Sequence, residues 1–195
     1  MNKIIESVKA FFNKWYNRFR IFCYSFAIWS VFYSSISVCG FSVAFEYDDG
    51  IAYTEEVKKN AKENGKDNIY YAINGNTELE RTKIVPFLSL FFLKILGFKI
   101  DFIIDREPLN IQSVNKKWNG WANGIYFVSD QNQKYELLES KKYIFFFSNS
   151  DEGVIQAKKA GIKAVRIKRN PKSLSNNLSY NPGKFGEWTL PLSEF

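Results

Sequence analysis

Two carboxylates directly follow the most strand-like apolar stretch of this chain. The residues at 41–45, Phe-Ser-Val-Ala-Phe, are apolar or small and lead into Glu46 and Asp48, which lie two apart. A strand buried on both faces has this composition, and open α/β sheets bind ligands at the carboxyl ends of their strands. Glu46 and Asp48 are therefore candidates for holding a cation or for dividing the roles of nucleophile and acid. The alternative is a solvated acidic turn after an ordinary strand.

The content of histidine and cysteine narrows the possible chemistry. The chain has no histidine, which excludes His-based triads, His zinc sites and His general bases. Its two cysteines, Cys23 and Cys39, do not make a disulfide framework. Because both lie in one apolar stretch, we expect them to be small buried apolar residues.

Length and composition indicate one folded domain. The chain has 195 residues, of which 46% are hydrophobic and 18% aromatic, so it is not a disordered chain. The net charge of +7 either serves solubility or attracts a phosphorylated ligand or an anionic membrane. No basic motif with interleaved aromatics is present, so we expect no nucleic-acid partner. The basic residues of the last third are Lys158, Lys159, Lys163, Arg166, Lys168, Arg169 and Lys172.

Residues 2–20 have the pattern of an amphipathic helix. One face is apolar and aromatic, and the other is polar and mostly basic. Such a helix suits a membrane surface, or it docks its apolar face on the domain or on a partner. The apolar face comprises Ile4, Ile5, Val8, Phe11, Phe12, Trp15, Tyr16 and Phe19.

The next segment, 21–45, carries no charge. Its part at 21–39 is long enough to span a bilayer, and the five basic residues before it predict a cytoplasmic N-terminus. Many Ser and Tyr residues make it only marginally hydrophobic, and almost no linker separates it from the strand at 41. Three alternatives therefore stay open: a membrane anchor, a packed helical region and a cleaved signal peptide.

Strands and helices alternate through the rest of the chain. We predict strands at 98–104, 124–128, 143–147 and 164–167, with a possible edge strand at 188–190. Helices are predicted at 53–64, 77–96, 133–140 and 154–160, a helix and turn at 110–122, and a polar loop at 65–76. This alternation is typical of a parallel sheet covered on both faces.

Several of these segments resemble known phosphatases. Phe-Glu-Tyr-Asp-Asp-Gly at 45–50 resembles the first motif of the haloacid dehalogenase (HAD) phosphatases. Lys134, the run 143–151 and the tail 183–195 resemble the class B acid phosphatases. The resemblance implies an α/β, HAD-like (Rossmann-like) three-layer sandwich over 41–195, with a mostly parallel sheet and a reduced cap. Residues 1–40 would be an extra N-terminal helical segment, and the protein would be periplasmic.

The resemblance also implies roles for single residues. The family attacks phosphate with an aspartate held against Mg²⁺, and a second aspartate serves as acid and base. Here the nucleophile position is Glu46 and the acid/base position is Asp48. Lys134 and Arg106 match basic residues of the phosphate site. The metal ligands would be Glu46, Asp48 and Asn149.

The match departs from the family at several of these positions. Glu46 moves the carboxylate by one methylene, and a misplacement of about 1 Å can cost on the order of 10²-fold in rate. Gly50 replaces a Thr, and Ile104 falls where a Thr holds phosphate. The family's acidic pair falls on Asn149 and Gly153.

We therefore interpret the chain as a catalytically degenerate, acid phosphatase-like protein that acts as a binding or structural component. We expect a protein partner or assembly, and a membrane contact through 1–40 that places the domain on the periplasmic face of the inner membrane. We expect no cofactor. The alternatives are a Mg²⁺-dependent phosphomonoesterase that uses Glu46 and Asp48, and a non-catalytic sensor of phosphate ligands.

Overall fold

The computed structural model describes residues 2–63, 68–173 and 179–195, without the side chains of residues 2–8 and 10. Part of the predicted loop at 65–76 and part of the tail after 170 lie outside the described residues. The amphipathic face predicted for 2–20 is described from residue 11 onward, together with residue 9.

Eight strands and seven α-helices make up the described chain. The strands are β1 (Ser42–Glu46), β2 (Ala52–Tyr53), β3 (Arg81–Thr82), β4 (Lys99–Ile104), β5 (Gly124–Phe127), β6 (Phe145–Ser148), β7 (Lys163–Arg166) and β8 (Trp188–Thr189). The helices are α1 (Asn2–Cys39), α2 (Glu55–Glu63), α3 (Ile69–Gly75), α4 (Ile84–Ile95), α5 (Gln112–Trp118), α6 (Gln131–Lys141) and α7 (Asp151–Lys159).

Six strands form one parallel sheet in the order β5-β4-β1-β6-β7-β8. The stretch at 41–45 is central as predicted: β1 pairs with β4 through Ser42 and Lys99 and with β6 through Val43 and Phe145. Separate apolar clusters cover the two faces of the sheet. This confirms the predicted three-layer α/β sandwich with its N-terminal helix. Because all six strands are parallel, their carboxyl ends lie along one edge, which positions the candidate site.

The segment between β1 and β4 differs from the prediction. The helix expected at 77–96 is wrong in its first half, where a 3₁₀ turn at Thr77–Leu79 and β3 precede α4. Pro86 lies in the first turn of α4, where its missing N–H removes no helical hydrogen bond. The apolar run predicted to lie in a loop at 69–73 is instead part of α3, which Asn68 caps by accepting from the amides of Tyr70 and Tyr71.

Helix α1 is one continuous helix of 38 residues, about 57 Å long at about 1.5 Å per residue. Among its described side chains only Ile36 is buried, so packing against the domain is confined to its last turns. Cys23 and Cys39 are exposed, and the expectation that they are buried is wrong. By length and composition alone, the part Phe11–Cys39 is able to cross a membrane.

Candidate active site

A cleft of about 480 Å³ lies at the carboxyl edge of the sheet, between the strand ends and helices α2 and α3. It brings together Glu46, Asp48, Arg106 and Asn149, four of the five residues predicted from the resemblance. Lys134 lies beneath the cleft, bonded to Glu46. The remaining lining residues are Asp49, Glu55, Lys58, Lys59, Lys62, Ile69, Tyr70, Ile73, Asp105 and Arg169.

Both carboxylate oxygens of Glu46 are engaged by the protein itself. Oε1 accepts from Lys134 Nζ at 2.7 Å and from Ser150 Oγ at 3.3 Å. Oε2 accepts from Ser148 Oγ at 2.8 Å and from the Asn149 amide at 2.8 Å. Burial works to raise the pKa of Glu46, but Lys134 and these hydrogen bonds outweigh it and hold the pKa below its usual value. Glu46 is thus a charged, fully bonded group, only 3% exposed.

Lys134 joins Glu46 to a third carboxylate, Asp105. Its fully buried ammonium lies 2.6 Å from Asp105 Oδ2. Burial raises the pKa of Asp105 to about 6, helped by the charge of Glu46 and opposed by Lys134. Burial alone would lower the pKa of Lys134, but the two carboxylates raise it above its usual value. The lysine therefore stays charged and balances the charge of Glu46 beneath the cleft.

Asp48 and Arg106 form the second ion pair of the site. Arg106 Nε lies 3.0 Å from Asp48 Oδ2, and Thr54 Oγ1 donates to Oδ1 at 2.9 Å. Burial would raise the pKa of Asp48, but Arg106 holds it below its usual value. Arg106 also donates to Asn74 at 3.0 Å and to Glu80 at 3.3 Å, so its guanidinium is locked from several sides. A phosphate-binding role for Lys134 and Arg106 stays a prediction, since carboxylates hold both cations here.

The side chain of Asn149, the predicted metal ligand, directs its N–H group into the site. Its Nδ2 donates to the carbonyl oxygen of Asp48. The neighbouring position at Gly153 has no room for a side chain, because a Cβ there would lie 2.3 Å from Ser148 Oγ and 3.1 Å from Glu46 Oε1. The longer side chain of Glu46 therefore reaches toward the space that a residue larger than glycine would need at 153. The departures at 46 and 153 fit each other sterically.

Packing accounts for the residue types at two further positions of the predicted site. A Cβ at Gly50 would lie 1.9 Å from the carbonyl oxygen of Glu46, so the tight turn after β1 accepts glycine alone. Ile104 is fully buried in the core, so this position offers no hydroxyl to the cleft.

The oxygen atoms of this site, as they are arranged, do not form a coordination sphere for a magnesium ion. Mg²⁺ requires several oxygen ligands in octahedral geometry. The oxygens of Glu46 and Asp48 accept from protein cations and hydroxyls, and a side-chain N–H occupies the Asp48 carbonyl. Among the described residues, no group of three or more His, Cys, Asp or Glu side chains could hold a metal. The absence of a cofactor stays a prediction.

The tail at 183–195 has a structural role. Glu187 Oε1 accepts from Arg166 Nε and from the Gly183 amide, each at 2.9 Å. Arg166, which is fully buried in β7, also donates to Asp151 at 2.8 Å, and Asn181 Nδ2 donates to Asp151 at 2.7 Å. The tail therefore closes the edge of the sheet over a buried arginine. Asp151, which begins α7 after β6, is held in this network.

Sequence reasoning missed Asp105, Ser148 and the lysines of α2. Asp105 directly follows β4, so the strand-end argument applied to Glu46 would have identified it. Ser148 ends β6 and meets Glu46 across 102 positions, a contact that no local pattern indicates. The lysines of α2 reach the cleft because Val57 and Ala61 anchor the other face of that helix.

Comparison with known structures defines the class of fold. The chain is similar to CbbY from Rhodobacter sphaeroides, solved in complex with phosphate, with a TM-score of 0.58, 11% identity and coverage of 78% of this chain and 95% of that one. It is also similar to a putative beta-phosphoglucomutase from Thermotoga maritima, with a TM-score of 0.53, 17% identity and coverage of 79% and 95%. The chain therefore has the fold of the HAD superfamily.

Sequence comparison leads to a narrower resemblance within that fold. A class B acid phosphatase of Enterobacter sp. (strain 638) is 28% identical over 113 residues, covering 51% of this chain and 46% of the relative. Another from Citrobacter rodentium is 32% identical over 80 residues, covering 37% and 32%. No family model matches. The chain thus spans less than half the length of these relatives, and the predicted resemblance, an acid phosphatase-like protein with the HAD fold, is confirmed.

Proposed function

We propose that this protein is a catalytically degenerate HAD protein that serves as a binding or structural component tethered to a membrane. The bonding of Glu46 carries the proposal. A nucleophilic carboxylate must present a free oxygen to phosphorus, and both oxygens of Glu46 accept hydrogen bonds from Lys134, Ser148, Asn149 and Ser150. Lys134 supplies the positive charge that a metal would otherwise bring to this carboxylate.

Hydrolysis of p-nitrophenyl phosphate by the full chain, with and without Mg²⁺, tests the loss of catalysis. We expect wild type and Asp48→Asn to show the same background rate. Magnesium-dependent turnover that Asp48→Asn abolishes would establish the alternative, a phosphomonoesterase that uses Glu46 and Asp48. Glu46→Asp is measured in the same assay, because it shortens the side chain at position 46 and keeps the cations of Lys134 and Arg106 in place.

The tether is supported by the exposure of α1. Aromatic side chains along the helix face outward, and no charge interrupts the segment 21–39. Flotation of the full chain with phospholipid vesicles tests this, and we expect the protein to float. Basic residues precede the uncharged segment, so we propose that the domain lies on the periplasmic face. Digestion of the domain by protease added to intact spheroplasts of an expressing Gram-negative host would support that orientation.

A second function, sensing of a phosphorylated ligand, is favoured by the rim of the cleft. Lys58, Lys59 and Lys62 line it on α2, and Arg169 lines it as well. Melting curves with inorganic phosphate and nucleoside monophosphates test this, because a ligand that binds the folded state raises the melting temperature. A shift that Lys58→Gln and Lys62→Gln reduce would support sensing. If millimolar ligand does not shift the melting temperature, the sensing role is wrong and the structural role remains.

A further inference from the structure

The edge of the sheet opposite the cleft carries a concentration of lysines. We call it the amino edge and define it by Lys99, Lys141, Lys142, Lys159 and Lys163, all exposed. Because the six strands of the sheet are parallel, they all begin at this edge, whereas the cleft lies where they end. The two edges therefore face in opposite directions.

The fold, rather than the sequence order, assembles these lysines. Lys99 begins β4 and Lys163 begins β7, while Lys141 and Lys142 end α6 just before β6 and Lys159 ends α7 just before β7. Strands β4, β1, β6 and β7 lie side by side, so at about 4.8 Å per strand the row spans about 14 Å. The segments 138–144 and 156–162, which lead into β6 and β7, contain one acid, Glu139, which accepts a hydrogen bond from Tyr135 at 2.9 Å. The edge is thus strongly positive.

Helix α1 enters the domain at the same edge. It ends at Cys39, and β1 begins at Ser42, so the connection is too short to hold the domain away from whatever surrounds the helix. The ammonium of Lys99 lies 3.8 Å from the position that a Cβ on Gly40 would take. The row of lysines therefore begins at the base of α1.

Apolar side chains stand exposed beside this junction. Phe92 is 60% exposed near the end of α4, and Ile95 and Phe41 are exposed as well. The same end of α4 meets α1, since a Cβ at Gly97 would lie 2.8 Å from the Tyr33 carbonyl oxygen. Lysines with adjoining aromatic and aliphatic groups are the composition that favours the headgroup region of an anionic bilayer.

We propose that the amino edge rests on the headgroups of an anionic phospholipid bilayer in which α1 is embedded, so that the cleft points away from the membrane. The inference rests on the membrane placement of α1 proposed above and adds a second, electrostatic contact made by the domain. The short connection after α1 would press an acidic edge unfavourably against anionic headgroups, whereas here it brings opposite charges together.

Acylation of lysines by a water-soluble amine reagent, followed residue by residue with mass spectrometry, tests the proposal. The full chain is reconstituted into vesicles of phosphatidylglycerol and phosphatidylcholine, or of phosphatidylcholine alone. We expect the five amino-edge lysines to react several-fold more slowly on the anionic vesicles, and 0.5 M salt to remove the difference, since it screens at about 4 Å. Lys58, Lys59 and Lys62, at the opposite edge, are the internal control and should react equally in both.

The outcomes separate this inference from the tether itself. If the protein floats with neither type of vesicle, both the proposed membrane tether and this inference are wrong. Flotation with equal reaction of the five lysines in both lipids overturns the inference and leaves the tether standing. Protection that depends on protein concentration rather than on lipid charge overturns it in favour of contact with a second copy.

Matched triple variants sharpen the measurement. Lys99→Gln, Lys142→Gln and Lys163→Gln together should abolish the lipid-dependent protection of Lys141 and Lys159. Lys58→Gln, Lys59→Gln and Lys62→Gln remove the same charge from the other edge and should leave that protection unchanged. Equal effects of the two triple variants would show that net charge alone acts, and would overturn a specific role for the amino edge.

Discussion

The carboxyl edge of the domain and helix α1 have opposite relations to their surroundings. At the carboxyl edge, charged groups taken out of water are paired inside the chain, as Lys134 is with Glu46 and Arg106 is with Asp48. Along α1, large apolar side chains such as Phe22 and Phe32 stay exposed. Glu46 and Asp48 thus have their charges balanced by cations of the same chain, whereas the apolar side chains of α1 face the surroundings of the domain. This contrast is the basis of the binding or structural function proposed above.

The largest expected effect is on the free energy of unfolding, and replacing phenylalanine by alanine in each of the two regions reveals it. Phe146→Ala removes a fully buried ring from β6 and should lower the free energy of unfolding by about 3–5 kcal/mol. Phe22→Ala removes a ring that is 65% exposed on α1 and should change the free energy of domain unfolding by less than about 0.5 kcal/mol. Urea unfolding of the full chain in a non-ionic detergent, followed by Trp fluorescence, measures both. A cost of several kcal/mol for Phe22→Ala would mean that α1 is part of the core.

Lys134→Met probes the balance of charge beneath the cleft. It leaves Glu46 buried without its cation, which should cost about 3–5 kcal/mol in the free energy of unfolding. Adding Glu46→Gln should restore part of the loss, because the unpaired charge is then gone. Lys142→Met, an exposed control on the neighbouring surface, should cost less than about 0.5 kcal/mol. Similar values for the two lysines in urea unfolding would contradict a buried ion pair.

Gly153→Ala tests the steric fit between positions 46 and 153. The new methyl group would meet Ser148 Oγ at 2.3 Å, and overpacking of this kind typically costs about 1–3 kcal/mol. Ser148→Ala removes that oxygen, so it should cost less in the Gly153→Ala background than in wild type. A double-mutant cycle of unfolding free energies measures this coupling. Additive costs would mean that the two sites are independent.

The smallest expected effect is the pH dependence contributed by Lys83. Its buried ammonium donates to the carbonyls of Asp49 at 2.9 Å and Lys168 at 2.7 Å, and burial lowers its pKa to about 8. The pKa of a lysine in the unfolded chain is about 10.4. At a pH between the folded and unfolded pKa values, the unfolded chain therefore binds more protons than the folded one. Stability from this group therefore rises as the pH rises from about 8 toward about 10.

Comparison of wild type with Lys83→Met isolates that contribution. From about pH 7.5 to about pH 9.5, wild type should gain on the order of 1 kcal/mol relative to the variant in urea unfolding. Lys59 is exposed, so the free energy of unfolding of Lys59→Met should change with pH in the same way as that of wild type over this pH range. A difference between wild type and Lys83→Met that does not change with pH would show that Lys83 titrates normally in the folded protein.

Much of the fold could be predicted because the signals are local. The apolar run at 41–45 and the alternation of later strands and helices identified the parallel sheet, and the observed strand bounds agree within two residues. The region between β2 and β4 was predicted less well. There α3 is short and begins from a cap at Asn68, and the turn at Thr77–Leu79 breaks what reads as one long helix. Short elements of this kind depend on contacts made elsewhere in the chain.

By itself, the sequence determined the type of fold, the strand that leads into Glu46 and Asp48, and the uncharged segment 21–39 before it. Apolar spacing and composition encode these features along the chain. Only the tertiary structure decided that Lys134 and Ser148 bind Glu46, that Gly153 leaves no room beside it, and that five separated lysines share one edge. The reason is physical: a carboxylate's reactivity depends on the donors and charges within a few ångströms, and these come from residues far apart in the chain.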